Sequence, residues 1–237
     1  SLIKLYQFPP CWGMPSSSPF CIKVETYLRM MRLDYENEYL TDPRLGPRGK
    51  LPYIEYHGEK VTDSRFIVDF LEKDSASPLN AHLTEDQCGM RLAMQRLLEE
   101  HLIWVIVYSR WVPEKNWKII KNAFFNKLPG PVRTMISKRI RKKMLLSLRL
   151  QGIGLHTQEE IYELGKQDIQ ALSHLLADKP FILGDKPTTL DASAYGFIVS
   201  IIRAPIESGL KRFTMDQANL VALCDRIDEL YYNDKVD

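Results

Sequence analysis

Ser16-Ser17-Ser18-Pro19 stands in front of the stretch with the clearest chemical potential in this chain. After it, Phe20, Val24, Tyr27, Leu28 and Met31 recur at a helical period, so a helix with one buried face is predicted there. Pro19 reads as its first residue, where a missing N–H costs nothing, and Ser18 as its N-cap. The start of a helix carries unpaired N–H groups and roughly half a positive charge, so it favours an anion. A hydroxyl at the cap can donate to the same anion, or it can do no more than cap the helix, which is what most serines at such positions do.

The elements around this stretch must position it. Residues 2–8 predict a strand closed by Pro9-Pro10, and residues 34–39 a second. With the helix between them they form a β-α-β unit, which aims the helix N-terminus at the edge of a parallel strand pair. Residues 42–49 are a loop by their Gly and Pro content. Residues 50–56 and 59–61 flank His57-Gly58 and predict an antiparallel hairpin, with Pro52 tolerated at the start of its strand. Thr62-Asp63-Ser64 caps a helix over residues 65–72.

Beyond a polar linker at 73–83 the strand signals stop. Capping boxes at Thr84-Glu85-Asp86-Gln87 and Thr157-Gln158-Glu159-Glu160 open helices that run to Trp111 and Ala177. Thr188-Thr189-Leu190-Asp191 opens another over 192–202, and residues 220–232 predict a last amphipathic helix. The expected fold class is therefore α/β plus all-α, with a mixed domain over residues 1–75 and an all-helical domain over 84–237.

The totals bound the partners. The chain has 237 residues, 45% of them hydrophobic, which is enough to bury a real core. A net charge of +2 makes no global case for nucleic acid. Cys11, Cys21, Cys88 and Cys224 are widely spaced, as free thiols in a reducing compartment would be. His101 and His156 lack partners at metal-binding spacing, so no metal is expected. The longest apolar run, 102–108, is too short to span a bilayer, and no signal peptide is visible. A cytoplasmic protein is expected.

In this order and spacing, the β-α-β unit, the Leu51-Pro52-led hairpin, the Asp63-Ser64 cap and the helical second half resemble the glutathione transferase superfamily. So does Phe181-Ile182-Leu183-Gly184-Asp185-Lys186-Pro187-Thr188-Thr189-Leu190-Asp191-Ala192, which looks like that family's helix-capping motif. Pro15-Ser16-Ser17-Ser18-Pro19-Phe20-Cys21-Ile22-Lys23-Val24-Glu25-Thr26-Tyr27-Leu28-Arg29-Met30 is similar to its failed-axon-connections and metaxin branch. Glu99-Glu100-His101, Gly152-Ile153-Gly154 and the Asp191-Ala192 region share that likeness. The metaxins of that branch act in protein import at the mitochondrial outer membrane.

The resemblance implies a thioredoxin-like first domain with a cis proline at Pro52. The backbone at Leu51 would pair with the cysteinyl part of glutathione, and Asp63 with Ser64 would grip its γ-glutamyl end. Lys50, or Arg48, would meet the glycine carboxylate. Ser18 falls where zeta-like enzymes place a catalytic serine, while Gln7 stands where tyrosine-type enzymes hold their tyrosine. Cys21 matches the second cysteine of a glutaredoxin-type pair whose first member is Ser18 here, so dithiol reduction is excluded and a buried Cys21 is expected. The loop from Pro10 to Pro15 is longer than the family pattern, which either brings Ser16 or Ser17 to the thiol or narrows the site.

Trp12, His101, Trp104 and Tyr108 are expected to border a pocket for an apolar electrophile, with Trp111 within reach of the same helix face. The implied function is a glutathione transferase working as a homodimer. The alternative is a non-catalytic, metaxin-like binding or scaffold module. Finally, Arg133, Lys138, Arg139, Arg141, Lys142, Lys143 and Arg149 form a basic run. It reads as a solvated helix face or as a weak contact with anionic membrane over residues 133–149. The preceding segment, 124–131, reads as a hinge or lid.

Overall fold

In a computed structural model that describes residues 2–233, β1 (Ile3–Gln7) buries Ile3, Leu5 and Gln7 and turns Lys4 and Tyr6 outward. That period-two pattern belongs to a strand with one covered face. β2 (Tyr35–Tyr39) pairs with it in parallel, while β3 (Tyr53–Tyr56) pairs with its other edge antiparallel. β4 (Glu59–Thr62) returns beside β3, giving the order β2-β1-β3-β4. His57 and Gly58 both hold positive φ, 52° and 80°, as a two-residue turn between twisted strands requires.

Leu5 and Ile54 face each other across the sheet and enter the main core with Ile22 and Leu28 of α1 (Pro19–Met30) and Ile67 and Leu71 of α2 (Ser64–Asp74). On the opposite face Tyr6 and Tyr53 stack at 4.3 Å, and the Tyr6 hydroxyl donates to Glu55.

The rest of the described chain is helical. After the linker, α3 (Glu85–Arg96) passes through a π-helical turn at Leu97–Leu102 into α4 (Ile103–Trp111). Then follow α5 (Glu114–Phe125), α6 (Gly130–Gln151), α7 (Gln158–Leu176), α8 (Thr189–Ile202), α9 (Gly209–Met215) and α10 (Ala218–Tyr231). The boxes at Thr84, Thr157 and Thr188 all close reciprocally. Asp191 does more than cap: its buried carboxylate also accepts the Ile182 amide at 2.8 Å, which ties the preceding loop to α8. No helix among the described residues is long and apolar enough to cross a membrane.

α8 is buried along nearly its whole length and packs directly on α1. Gly196 permits that approach, because a Cβ there would lie 2.5 Å from the Pro19 carbonyl oxygen. Segment 124–131 differs from the expected hinge. Phe124 and Phe125 end α5 and are held by ring contacts with Trp12, Trp111 and Trp117, so only the few residues between α5 and α6 form a turn.

Candidate functional site

The sheet register gathers the site. Tyr6 opposes Tyr53, and Tyr53 opposes Thr62, so the end of β1, the start of β3 and the end of β4 share one edge. Leu51-Pro52, a cis peptide, and Asp63 therefore lie side by side where the chain leaves β1 for α1. Leu51, Tyr53 and Cys21 of α1 form a small buried cluster there, flanked by Tyr6, Phe8 and Leu40.

Ser18 caps α1 from an extended backbone, and its Oγ accepts the Cys21 amide at 3.4 Å. Accepting leaves the hydroxyl proton to donate elsewhere, and the Cys21 thiol is one partner within its reach. Pro19 has no N–H, and the Ile22 amide goes to the Ser18 carbonyl. Among the described residues, the Phe20 amide is thus the first-turn donor left open. The three serines divide. Ser16 is fully buried and accepts the Ser18 amide through its Oγ, whereas Ser17 gives its carbonyl to Arg110 at 2.8 Å. Ser18 is half-buried at the helix mouth. Cys21 is buried, and burial pushes its thiol up to about 11, where it stays protonated and inert at neutral pH.

The longer loop closes in a tight turn. Cys11 and Met14 exchange backbone hydrogen bonds across Trp12 and Gly13, both at positive φ. Trp12 at its tip reaches the helical half, 5.8 Å from the Phe124 ring and 5.5 Å from the Arg110 guanidinium. Arg110 itself is buried, and burial lowers it to about 10, so it remains a cation at pH 7. It holds the Ser17 and Ser200 carbonyls, clamping the loop before Ser18 to α4 and α8.

Asp63 caps α2 at a φ of 72° and accepts from Arg65 through its amide and guanidinium. Burial alone would raise its carboxyl, but the Arg65 bonds outweigh that and hold it below the ordinary range, so it is ionised at neutral pH. Arg65 also reaches Glu100 at 2.5 Å. Behind Asp63, buried Ser64 accepts from the Lys23 ammonium at 3.4 Å. Lys23 pairs with Glu99 in the π-helical turn, and Ser193 and Gln95 donate to the same carboxylate. Burial lowers the Lys23 pKa more than Glu99 restores it. This network joins α1, α2, α3 and α8 directly behind the site. Lys50 is exposed on the loop leading to Leu51.

His101 of the π-helical turn and the aromatic residues of α4 meet different partners. His101 meets Asp168 at 2.5 Å and Tyr108 packs edge-on against Tyr162, so both turn to α7. Trp111 stacks with Trp117 of α5, and Trp104, seven residues earlier, is half-buried. Helical spacing keeps 101, 104, 108 and 111 near one face, so it is the partners on α7 and α5 that divide them. Glu99, Glu100, Arg110 and Phe124 were not singled out as site residues from sequence, although Glu99 and Glu100 lie inside a recognised motif and Phe124 inside the segment read as a hinge or lid. Among the described residues, no group of His, Cys, Asp and Glu is placed to hold a metal.

Residues 19–116 match the glutathione S-transferase N-terminal domain and residues 165–227 the glutathione S-transferase C-terminal domain. An isoprene-epoxide–glutathione S-transferase of Rhodococcus is 34% identical, over 97% of this chain and 99% of that protein. The chain belongs to the glutathione S-transferase family. Failed axon connections of Drosophila melanogaster is 38% identical over 83% of this chain, which spans about half (49%) of that protein's length. Human metaxin-1 is 27% identical over 97% of this chain and 51% of its own. A glutathione transferase of Phanerochaete chrysosporium superposes with a TM-score of 0.69 at 18% identity, covering 100% of this chain and 99% of that one. One of Ceriporiopsis subvermispora, solved with glutathione, gives 0.68 at 18% identity with the same coverage.

Proposed function

We propose that this chain binds glutathione at the α1 N-terminus and activates its thiol, with Ser18 as the hydrogen-bond donor, for attack on a small apolar electrophile. The observation that carries the reading is the convergence on one sheet edge of a half-buried cap hydroxyl, the Leu51-Pro52 backbone and an ionised Asp63. The cysteinyl part would lie along Leu51, the γ-glutamyl ammonium against Asp63, and the glycine carboxylate toward Lys50.

Magnitudes allow it. Lowering a thiol from about 8.5 by two units takes about 2.7 kcal/mol. A helix terminus supplies about 0.3–1 kcal/mol, and a hydrogen bond to a charged group about 1.5–3 kcal/mol. The thiolate sulfur then bonds to the electrophilic carbon as that carbon's bond to its leaving atom breaks. An epoxide, the class named for the Rhodococcus relative, loses a ring C–O bond in this way. The electrophile would lie between Trp12 and the α4 side bearing Trp104, since His101 and Tyr108 are engaged with α7. A homodimer in a reducing, cytoplasmic setting belongs to the same reading.

The kinship with metaxin-1 and Failed axon connections favours a second reading, a binding or scaffold module without turnover. Calorimetric titration with glutathione, followed by conjugation assays on epoxide and aryl halide electrophiles, separates the two. Binding with turnover supports the first; binding without turnover supports the second. Asp63→Asn sharpens the test, because asparagine still caps a helix and tolerates positive φ, while the charge and its ion pair with Arg65 are lost. A loss of about 1.5–3 kcal/mol in glutathione affinity is expected, the worth of a charged hydrogen bond. Unchanged affinity would place the γ-glutamyl end elsewhere.

A further inference from the structure

The outer face of α6 is built unlike the rest of the surface. Its 22 residues include no acidic side chain. Ser137 and Leu148 are buried, and Ile136, Ile140 and Met144 pack against the core, which fixes the inner face. Two of its cations are used internally. Arg133 donates to the Asn126 and Leu128 carbonyls, and Arg141 to the Trp111 and Val112 carbonyls and to Glu114. Lys138, Arg139, Lys142, Lys143 and Arg149 are exposed, and among the described residues none of them forms an ion pair.

Apolar side chains lie among these cations. Met135 is 65% exposed, Leu146 55% and Leu150 77%. Positions 135, 139, 142, 146 and 150 follow one line along the helix, opposite the buried face. An ordinary solvated face mixes both signs of charge. Here Lys138 with Lys142, and Arg139 with Lys143, are like-charged pairs one turn apart, which destabilise an isolated helix. A sheet of fixed negative charge against this face turns that repulsion into attraction. Single-stranded RNA fits less well, because its recognition draws on aromatic stacking, and this face offers leucine and methionine instead.

We propose that the outer face of α6 docks on an anionic lipid surface. Its cations meet the headgroup phosphates and carboxylates, while Met135, Leu146 and Leu150 enter the headgroup–acyl boundary. The helix stays folded against the protein, so the contact is side-on and reversible. Each cation near such a surface strengthens binding by about fivefold, and salt weakens it because the Debye length is only about 10 Å at 0.1 M.

The test is co-sedimentation of the whole protein with phosphatidylcholine vesicles, alone or with one third phosphatidylserine. Binding is expected to the phosphatidylserine vesicles only and to fall as salt rises. The combined variant Lys138→Gln, Arg139→Gln, Lys142→Gln, Lys143→Gln should lose on the order of a hundredfold or more in partitioning. Leu146→Ser with Leu150→Ser should weaken binding while keeping its salt dependence. All of these side chains are exposed, so an unchanged melting temperature and glutathione affinity verify that each variant is folded. Equal binding to both vesicle types, no binding to either, or full binding by the charge-neutralised variant overturns the proposal. So does capture of single-stranded RNA by a protein that ignores the vesicles.

Discussion

Glu99→Ala is expected to lower stability by about 3–5 kcal/mol, the usual cost of stranding one member of a buried ion pair. Lys23 and Glu99 are each only 1% exposed, and they join α1 to the π-helical turn across 76 residues of sequence. Removing the carboxylate leaves a buried ammonium with only the more distant Asp63 charge and the Ser64 hydroxyl, and it also orphans donors from Ser193 and Gln95. Lys23→Met combined with Glu99→Leu removes both charges and keeps the volume, so it should be clearly more stable than Glu99→Ala alone. Denaturant unfolding measures this. The pair also reaches the site, since Ser64 at the start of α2 accepts from the same ammonium. Glutathione affinity should therefore drop in Glu99→Ala even where the protein remains folded. A cost below about 1 kcal/mol would mean that the pair is hydrated in solution and worth no more than a surface bridge.

Gly196→Ala should be destabilising by about 1–3 kcal/mol, although alanine is the better helix former by about 0.8–1.0 kcal/mol. The added Cβ would sit 2.5 Å from the Pro19 carbonyl oxygen and 3.1 Å from the Lys23 amide nitrogen. Both are backbone atoms, so no rotamer change relieves the clash. α1 must back away from α8, and Ser18 moves with it. Gly89→Ala on α3 is the matching control. A Cβ there meets nothing within 4 Å, so the propensity term acts alone and stability should rise by up to about 1 kcal/mol. Opposite signs in thermal or denaturant unfolding support the close α1–α8 approach. Stabilisation by both substitutions would contradict it.

Local signals made much of this molecule legible. Alternation in residues 2–8, the His57-Gly58 turn and the Thr boxes at 84, 157 and 188 each act within a few residues, and their elements lie where those signals put them. α5 and α9 escaped because neither opens on a box of that kind: Pro113 caps α5 without a side-chain bond, and α9 spans only seven residues. The long-range features were beyond the reach of pattern. Nothing local marks Lys23, a cation on the first helix, as the partner of Glu99. Nor does anything mark Arg110 as the clamp on Ser17. The π-helical turn is equally silent in sequence, yet it carries Glu99. The row that runs from the π-helical turn into α4 shows the limit of spacing arguments. His101 and Tyr108 were within reach of the cleft by helical geometry, and Asp168 and Tyr162 on α7 engaged them instead.

Thiol activation by Ser18 is tested most directly by the thiolate absorbance of bound glutathione, followed against pH in the wild-type protein and in Ser18→Ala. The variant loses a helix cap, which costs about 1 kcal/mol of stability, so the comparison is made well below its melting temperature. In the wild-type complex the thiol should titrate about two units below its free value of about 8.5. In Ser18→Ala it should climb back by a unit or more, at about 1.36 kcal/mol per unit, while affinity at pH 6, where the ligand is a neutral thiol, stays nearly unchanged. A bound thiol that titrates at its free value in the wild type, or one left unmoved by Ser18→Ala, would contradict activation at this cap.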